Sequence, residues 1–144
     1  MSNGLRFSYG TLSKEAYDGF LATNKALEKS SVGKELIELI YLRVSQINGC
    51  SFCLKMHTSS LKKEGISESK LASLAGWHAS EEFSDREKVA LTWAESLTYI
   101  NKTHAPDKDF ELVKSHFNDT EISDITFAVA LMNAFNRLAI SARQ

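Results

Sequence analysis

The sequence predicts an all-α protein, and three observations carry that reading. Apolar residues recur at spacings of three and four along nearly the whole chain, the period of a helix with one buried face. No segment alternates apolar and polar residues as a half-buried strand does. Pro106 is the single proline and the seven glycines are scattered, so a loop-dominated β architecture is unexpected. A chain of 144 residues fits one domain spanning 1–144 and is long enough to bury a core without metal or disulfide staples.

About seven helices follow in order. Ala16, Phe20, Leu21, Asn24 and Leu27 share a face and predict a first helix over 13–29. Gly33 separates it from a second over 34–47, where Ile37, Ile40, Tyr41 and Val44 form the core stripe. Asn48-Gly49 is a breaker pair. The third helix begins at or just after Cys50 and runs to Glu64, with Gly65 placed as its C-terminal cap. Ser67 caps a short helix to Leu74. Ser84 and Glu87 have the spacing of a capping box, opening a helix through Val89, Leu91, Trp93, Leu97 and Ile100. Pro106-Asp107 starts another short helix, to Phe117, and Thr120 is set to cap the last one, over 121–142.

That last helix is apolar on nearly every face from Ile125 to Ile140. A helix apolar all round must be buried all round, so it is expected either at the centre of the bundle or packed in part against another subunit; a homo-oligomer is the favoured expectation. Asn133, Asn136 and Arg137 interrupt the apolar run and need hydrogen-bond partners if buried. Trp77 and Trp93 are expected in the core, and His78, His104 and His116 at the surface or in structural roles.

Charge narrows the function. With 17 Lys and Arg against 18 Asp and Glu the formal net charge is −1, which argues against nucleic acid as a partner, since phosphate neutralisation needs a basic excess. No stretch is read as approaching the ~20 apolar residues of a membrane span. The N-terminal Met1-Ser2-Asn3-Gly4-Leu5-Arg6 shows no signal peptide. The expected location is the cytoplasm, where paired cysteines are more often redox-active, catalytic or metal-binding than structural.

The two cysteines are Cys50 and Cys53. At ~100° per residue, a helix starting near Cys50 brings Cys50, Cys53 and His57 within an arc of ~60°. Thiols in the first turn of a helix face unpaired N–H groups and the positive end of the dipole, which favour the thiolate. A neighbouring imidazole favours it further, and the thiolate is the nucleophile. With a second thiol beside it, a sulfenic acid can be resolved as a disulfide. Glu35 and Glu38 on the preceding helix are both candidates to complete a proton relay; Glu38, set among Ile37, Leu39 and Ile40, is the odder carboxylate and the preferred one.

Glu38, Asn48-Gly49-Cys50-Ser51-Phe52-Cys53 and His57 together resemble the alkylhydroperoxidase D-like (AhpD-like) proteins of the carboxymuconolactone decarboxylase superfamily, whose pattern is a Glu, eleven residues, C-x-x-C, three residues and a His. Phe83-Ser84-Asp85-Arg86-Glu87 and Asn133-Ala134-Phe135-Asn136-Arg137 also look like family features, and the resemblance runs over 36–142. It implies an all-α fold, assembly into trimers or hexamers, and reduction of a hydroperoxide through a cysteine pair recharged by a dithiol or a thioredoxin- or lipoamide-type reductant. Carried onto these residues, Cys53 attacks the peroxide, Cys50 resolves, and His57 and Glu38 relay the proton. The residues alone leave the order of the cysteines open: Cys53 is nearer His57, while Cys50 is nearer the helix end and is expected to be the more exposed. One position departs from the well-characterised branch, which carries a His between its cysteines where this chain has Phe52; any help that His gives to proton transfer is absent here. The decarboxylase branch proper lacks the cysteine pair, so lactone decarboxylation is not the reading.

Other readings stand beside this one. The couple can serve a dithiol–disulfide oxidoreductase or redox sensor without peroxidase activity. Cys50, Cys53, His57 and Glu38 are a chemically acceptable zinc set, but three ligands spread over two turns, ~10 Å, reach far for one ion. Two buried cysteines filling a helix face are the plainest possibility. The pattern calls for no cofactor and no resident metal.

Overall fold

A computed structural model describes residues 4–144; Met1 to Asn3, part of the stretch read for a signal peptide, lie outside the described residues. These form nine α-helices and one 3-10 helix, with no strand among them. The helices are α1 (Tyr9–Leu12), α2 (Lys14–Leu27), α3 (Lys34–Asn48), α4 (Ser51–Lys63), α5 (Glu68–Ser73), α6 (Asp85–Thr98), α7 (Ile100–Thr103), α8 (Asp107–Lys114) and α9 (Asp119–Ala142), with the 3-10 turn Leu74–Ala79 after α5. The two helices beyond those expected, α1 and α7, are single turns, too short for hydrophobic periodicity to register.

Local chemistry sets the boundaries. The Ser84 hydroxyl accepts the Glu87 N–H at 3.1 Å and Glu87 accepts the Ser84 N–H at 2.9 Å, the capping box expected for α6. Ser67 caps α5 as expected. The last helix starts earlier than expected. Asn118, not Thr120, is its N-cap, and it forms a second capping box with Glu121 at 2.8 and 3.1 Å. Asn and Thr both cap well, so what decides is the acidic residue three positions on: Glu121 follows Asn118 at that distance.

The core centres on α3, which packs against α4, α6 and α9. Leu36, Ile37, Leu39, Ile40, Tyr41, Leu42, Val44 and Ser45 are all buried, so α3 is the helix enclosed on nearly every side. Its Arg43 is neutralised by Glu95 of α6 at 3.0 Å, and the same carboxylate accepts Trp77 Nε1–H at 2.7 Å. Trp77 and Trp93 lie in the core, Trp93 donating to Thr126. His78, His104 and His116 are exposed.

α9 crosses the bundle against α2, α3, α4, α6 and α8. By length and composition it passes as a membrane-crossing helix, against the expectation that no stretch comes near one. Contact with five other helices accounts for much of that apolarity, but not all: Phe127 remains 59% and Ile140 36% exposed. Asn133 and Asn136 find the hydrogen-bond partners they need. The Asn48 amide, at the end of α3, donates to Asn133 Oδ1 and Asn136 Oδ1, each at 2.9 Å, and Asn136 Nδ2 donates to Ser45 Oγ at 3.0 Å. Arg137 is exposed instead of buried and donates back to the Asn133 carbonyl, because its long stem carries the guanidinium out to water.

The capping geometry makes a direct prediction. Asn118→Ala lowers unfolding free energy by ~1 kcal/mol, whereas Thr120→Ala stays within ~0.5 kcal/mol of the parent, since only the first removes a cap. Paired urea titrations check it; equal losses would return the cap to Thr120.

Candidate active site

The site is built at the hairpin between α3 and α4. Gly49 takes the left-handed conformation, φ 70°, that ends α3. Its N–H bonds the Gln46 carbonyl at 3.3 Å and the Cys50 N–H bonds the Ser45 carbonyl at 3.1 Å, the paired bonds of a Schellman turn. The chain then enters α4 with Cys50 as N-cap in extended conformation, and the Cys50 sulfur accepts the Cys53 N–H at 3.4 Å. That is the role an N-cap oxygen plays elsewhere, filled here by sulfur.

Cys50 and Cys53 are joined as a disulfide with Cα atoms 5.3 Å apart. Both are buried, 1% and 2% exposed, with Ala139 of α9 against them. The expectation that Cys50 is the more exposed thiol does not hold, because α9 closes over the start of α4. What distinguishes the sulfurs is the space each borders. Cys53 lines a cleft of about 210 Å³ together with His57. Cys50 lines an adjoining depression with Ser51, Ile140 and Arg143, to which His57 does not contribute.

His57 lies one turn after Cys53 and points toward α3. Its Nδ1 is 2.8 Å from Glu38 Oε2, with the two side chains only 6% and 16% exposed. An ionised carboxylate has no proton to give, so Nδ1–H donates and Nε2 carries the lone pair in the neutral ring. Among the described residues, Nε2 is the one buried side-chain polar atom with no hydrogen-bond partner. Leaving such an atom unpaired in a folded core costs ~1–3 kcal/mol. Glu35 is exposed, so of the two candidate carboxylates the fold brings Glu38 to the ring.

Tyr41 is a neighbour of the site that the sequence placed simply in the core stripe. Its ring centroid is 5.3 Å from that of His57 and its hydroxyl donates to Asn24 Oδ1 at 3.0 Å. Burial first, and then the negative charges of Glu38 and Glu28, push its phenol well above the ordinary range. Its position three residues after Glu38, on the same face of α3, was the available signal.

The cleft is mostly apolar. Phe52, Met56, Met132 and Phe135 form its walls, and Tyr17 and Asn24 supply polar edges. Phe52, which stands between the cysteines, is 39% exposed at the mouth. Tyr9 also lines the cleft; its hydroxyl bonds the Gln144 side chain, and the Arg6 N–H bonds the Ala142 carbonyl at 2.8 Å. The N-terminal segment is thereby tied to the end of α9 beside the disulfide. Nothing local in the sequence marks these residues, which meet only through the fold. Among the described residues no three His, Cys, Asp or Glu side chains converge to hold a metal ion.

The profile of the carboxymuconolactone decarboxylase family matches residues 14–96, which include Glu38, both cysteines and His57. The chain belongs to that family. Within it the chain is AhpD-like: a crystal structure from Agrobacterium tumefaciens, of a protein of unknown function named as a candidate antioxidant defence protein AhpD, superimposes with a TM-score of 0.92 at 36% identity, over 97% of this chain and 96% of that one. An uncharacterised peroxidase-related protein from Silicibacter gives a TM-score of 0.81 at 27% identity, covering 90% of this chain and 69% of its own. Among curated sequences, the uncharacterised protein YdfG of Bacillus subtilis is 33% identical over 136 residues, 94% of this chain and 92% of its own. This carboxymuconolactone decarboxylase family member therefore has the expected family and fold.

Tyr41 supplies a pH prediction. Its folded pKa is raised above the ordinary value of 10.0, so its contribution to stability is complete below that pH. The contribution is lost as pH climbs past 10.0 toward the higher folded value, because the unfolded chain releases the proton first. Tyr41→Phe should flatten the alkaline fall in unfolding free energy by up to ~1.4 kcal/mol per pH unit. Parallel slopes for parent and variant in alkaline denaturant titrations would contradict the assignment.

Proposed function

We propose that the protein is a thiol-dependent peroxidase-like oxidoreductase that reduces hydroperoxides through the Cys50–Cys53 couple. A single observation carries the reading: Cys53 of the disulfide lines the same cleft as a buried imidazole that is held by a carboxylate on one nitrogen and unpartnered on the other.

In the reduced protein, His57 Nε2 takes the Cys53 thiol proton while Glu38 holds Nδ1–H and offsets the charge of the imidazolium. The Cys53 thiolate attacks the terminal peroxide oxygen. The O–O bond breaks, a sulfenic acid forms on Cys53, and the leaving alkoxide receives the proton carried by His57, departing as an alcohol. The Cys50 thiol then displaces the sulfenic hydroxyl as water and closes the disulfide. A dithiol reductant gives two electrons and two protons to restore both thiols and becomes a disulfide itself. Cys53 is assigned the attack because it borders the cleft with His57; Cys50 is the resolving thiol. The exposed apolar side chains Phe127 and Ile100 support assembly with further copies of the chain.

Phe52 favours one second reading. It has no proton to move, and it is 39% exposed beside both of the spaces that the cysteines border. That arrangement suits a dithiol–disulfide exchange protein or redox sensor as well as a peroxidase. Turnover separates the two.

Reduced protein treated with an organic hydroperoxide should lose both thiols and two mass units, reversibly with dithiol, while Cys53→Ser consumes no peroxide catalytically. A reversible disulfide with negligible peroxide turnover would select the exchange reading, and full turnover by Cys53→Ser would overturn the assigned nucleophile. His57→Ala should slow alkylation of the reduced protein by roughly tenfold or more near neutral pH; an unchanged rate between about pH 6 and 8 removes the relay.

A further inference from the structure

We propose that the polar network between α3 and α9, formed by the buried Ser45 and Asn136 with the part-buried Asn48 and Asn133, holds the Cys50 turn in the disulfide-forming geometry and so sets the equilibrium between the dithiol and disulfide forms. None of these side chains is assigned to the sulfur chemistry; they are positioning residues. The proposal rests on the reading above only in taking Cys50 and Cys53 as a redox couple.

Asn136 is fully buried in the middle of α9. A primary amide placed there requires partners, and it has them on both sides: Nδ2 donates to Ser45 Oγ at 3.0 Å and Oδ1 accepts from Asn48 Nδ2 at 2.9 Å. The second Asn48 N–H goes to Asn133 Oδ1 at 2.9 Å, and Asn133 is anchored in turn through its own Nδ2 to the Val129 carbonyl at 2.9 Å. Each amide orients the next, so the set behaves as one clamp across two helices.

The clamp grips the ends of the turn that carries Cys50. Ser45 holds Asn136 through its hydroxyl and the Cys50 N–H through its carbonyl, 3.1 Å away. Asn48 is the last residue of α3, immediately before Gly49 and Cys50. One turn beyond Asn136, α9 places Ala139 against both sulfurs. The same stretch of α9 therefore fixes the backbone that leads into Cys50 and roofs the couple. A hydrophobic side chain at position 136 would serve packing alone; three amides linked to the turn serve direction.

The chemistry follows from preorganisation. In exchange with glutathione, two glutathione thiols give two electrons and two protons to the protein disulfide, yielding two protein thiols and one glutathione disulfide. The equilibrium constant of that exchange measures the effective concentration of one protein thiol at the other. Holding Cys50 in place after reduction keeps that concentration high and favours the disulfide. Loosening the turn lowers it and makes the couple more oxidising.

The test is equilibration of the full chain with reduced and oxidised glutathione, the two states counted by alkylation and mass spectrometry, alongside thermal unfolding of the reduced protein. Ser45→Ala and Asn136→Ala should each lower the effective concentration about tenfold, which is ~30 mV for a two-electron couple. Val113→Ala, a fully buried position on α8 outside the network, should lower Tm with the constant unchanged. Variants of Ser45 and Asn136 that lower Tm while keeping the parent's constant would show a structural role only and overturn the proposal. Should Asn136→Ala fail to fold, Ser45→Ala decides by the same criterion. Peroxide turnover is scored separately: shifted constants in a chain without turnover uphold this inference while removing the peroxidase reading.

Discussion

The turn at Gly49 is the constraint on which the rest depends. A left-handed glycine lets α3 end and α4 begin within two residues, laying the two helices side by side in opposite directions. Three features follow from that one reversal. Cys50 becomes the cap of α4, Cys53 falls in its first turn, and the faces of α3 and α4 that carry Glu38 and His57 meet at 2.8 Å. A side chain at position 49 would have to adopt φ 70° at a steric cost.

Around this hairpin the fold spends its stability on enclosure. α3 is buried on nearly all sides and α9 lies over the start of α4, so the disulfide is shielded from bulk water although it borders a cleft. Shielding strengthens the electrostatic coupling of Glu38 to His57 and makes the unpaired Nε2 costly to maintain. The remaining buried polar groups along the same seam are satisfied, Tyr41 by Asn24 and Asn136 by Ser45 and Asn48. Polarity is thus deployed in two ways within one core: paired groups that fix the backbone, and one nitrogen without a partner among the described residues.

The apolar lining gives that arrangement its direction. Phe52, Met56, Met132 and Phe135 come from α4 and α9, and the N-terminal segment closes the same space from a third side through Tyr9. A cleft of this character accommodates an apolar substituent next to Cys53 better than a fully hydrated one. The wall combines residues of α2 and α4, which lie inside the stretch 14–96 matched by the family profile, with residues of α9 and the N-terminal segment, which lie outside it.

Much of this was legible in the linear sequence. The all-α class, the helix order, both cysteines, His57 and Glu38 could be named because each rests on local spacing: the helical period, the capping residues, and a C-x-x-C followed by a His one turn on. Local rules erred or stopped where a competing contact decided. Asn118 displaced Thr120 as cap because Glu121 reciprocates it; Cys50 is as buried as Cys53 because α9 roofs it; Arg137 reaches solvent along its stem. The cleft, the orphaned Nε2 and the amide clamp are set by α3, α4, α9 and the N-terminal segment approaching one another over separations such as the 91 residues between Ser45 and Asn136. The sequence by itself determined which groups could react, since reactivity resides in residue type and near-neighbour spacing. Only the tertiary structure decided which of them meet, which face open space and which are held still, because those depend on packing between helices distant along the chain.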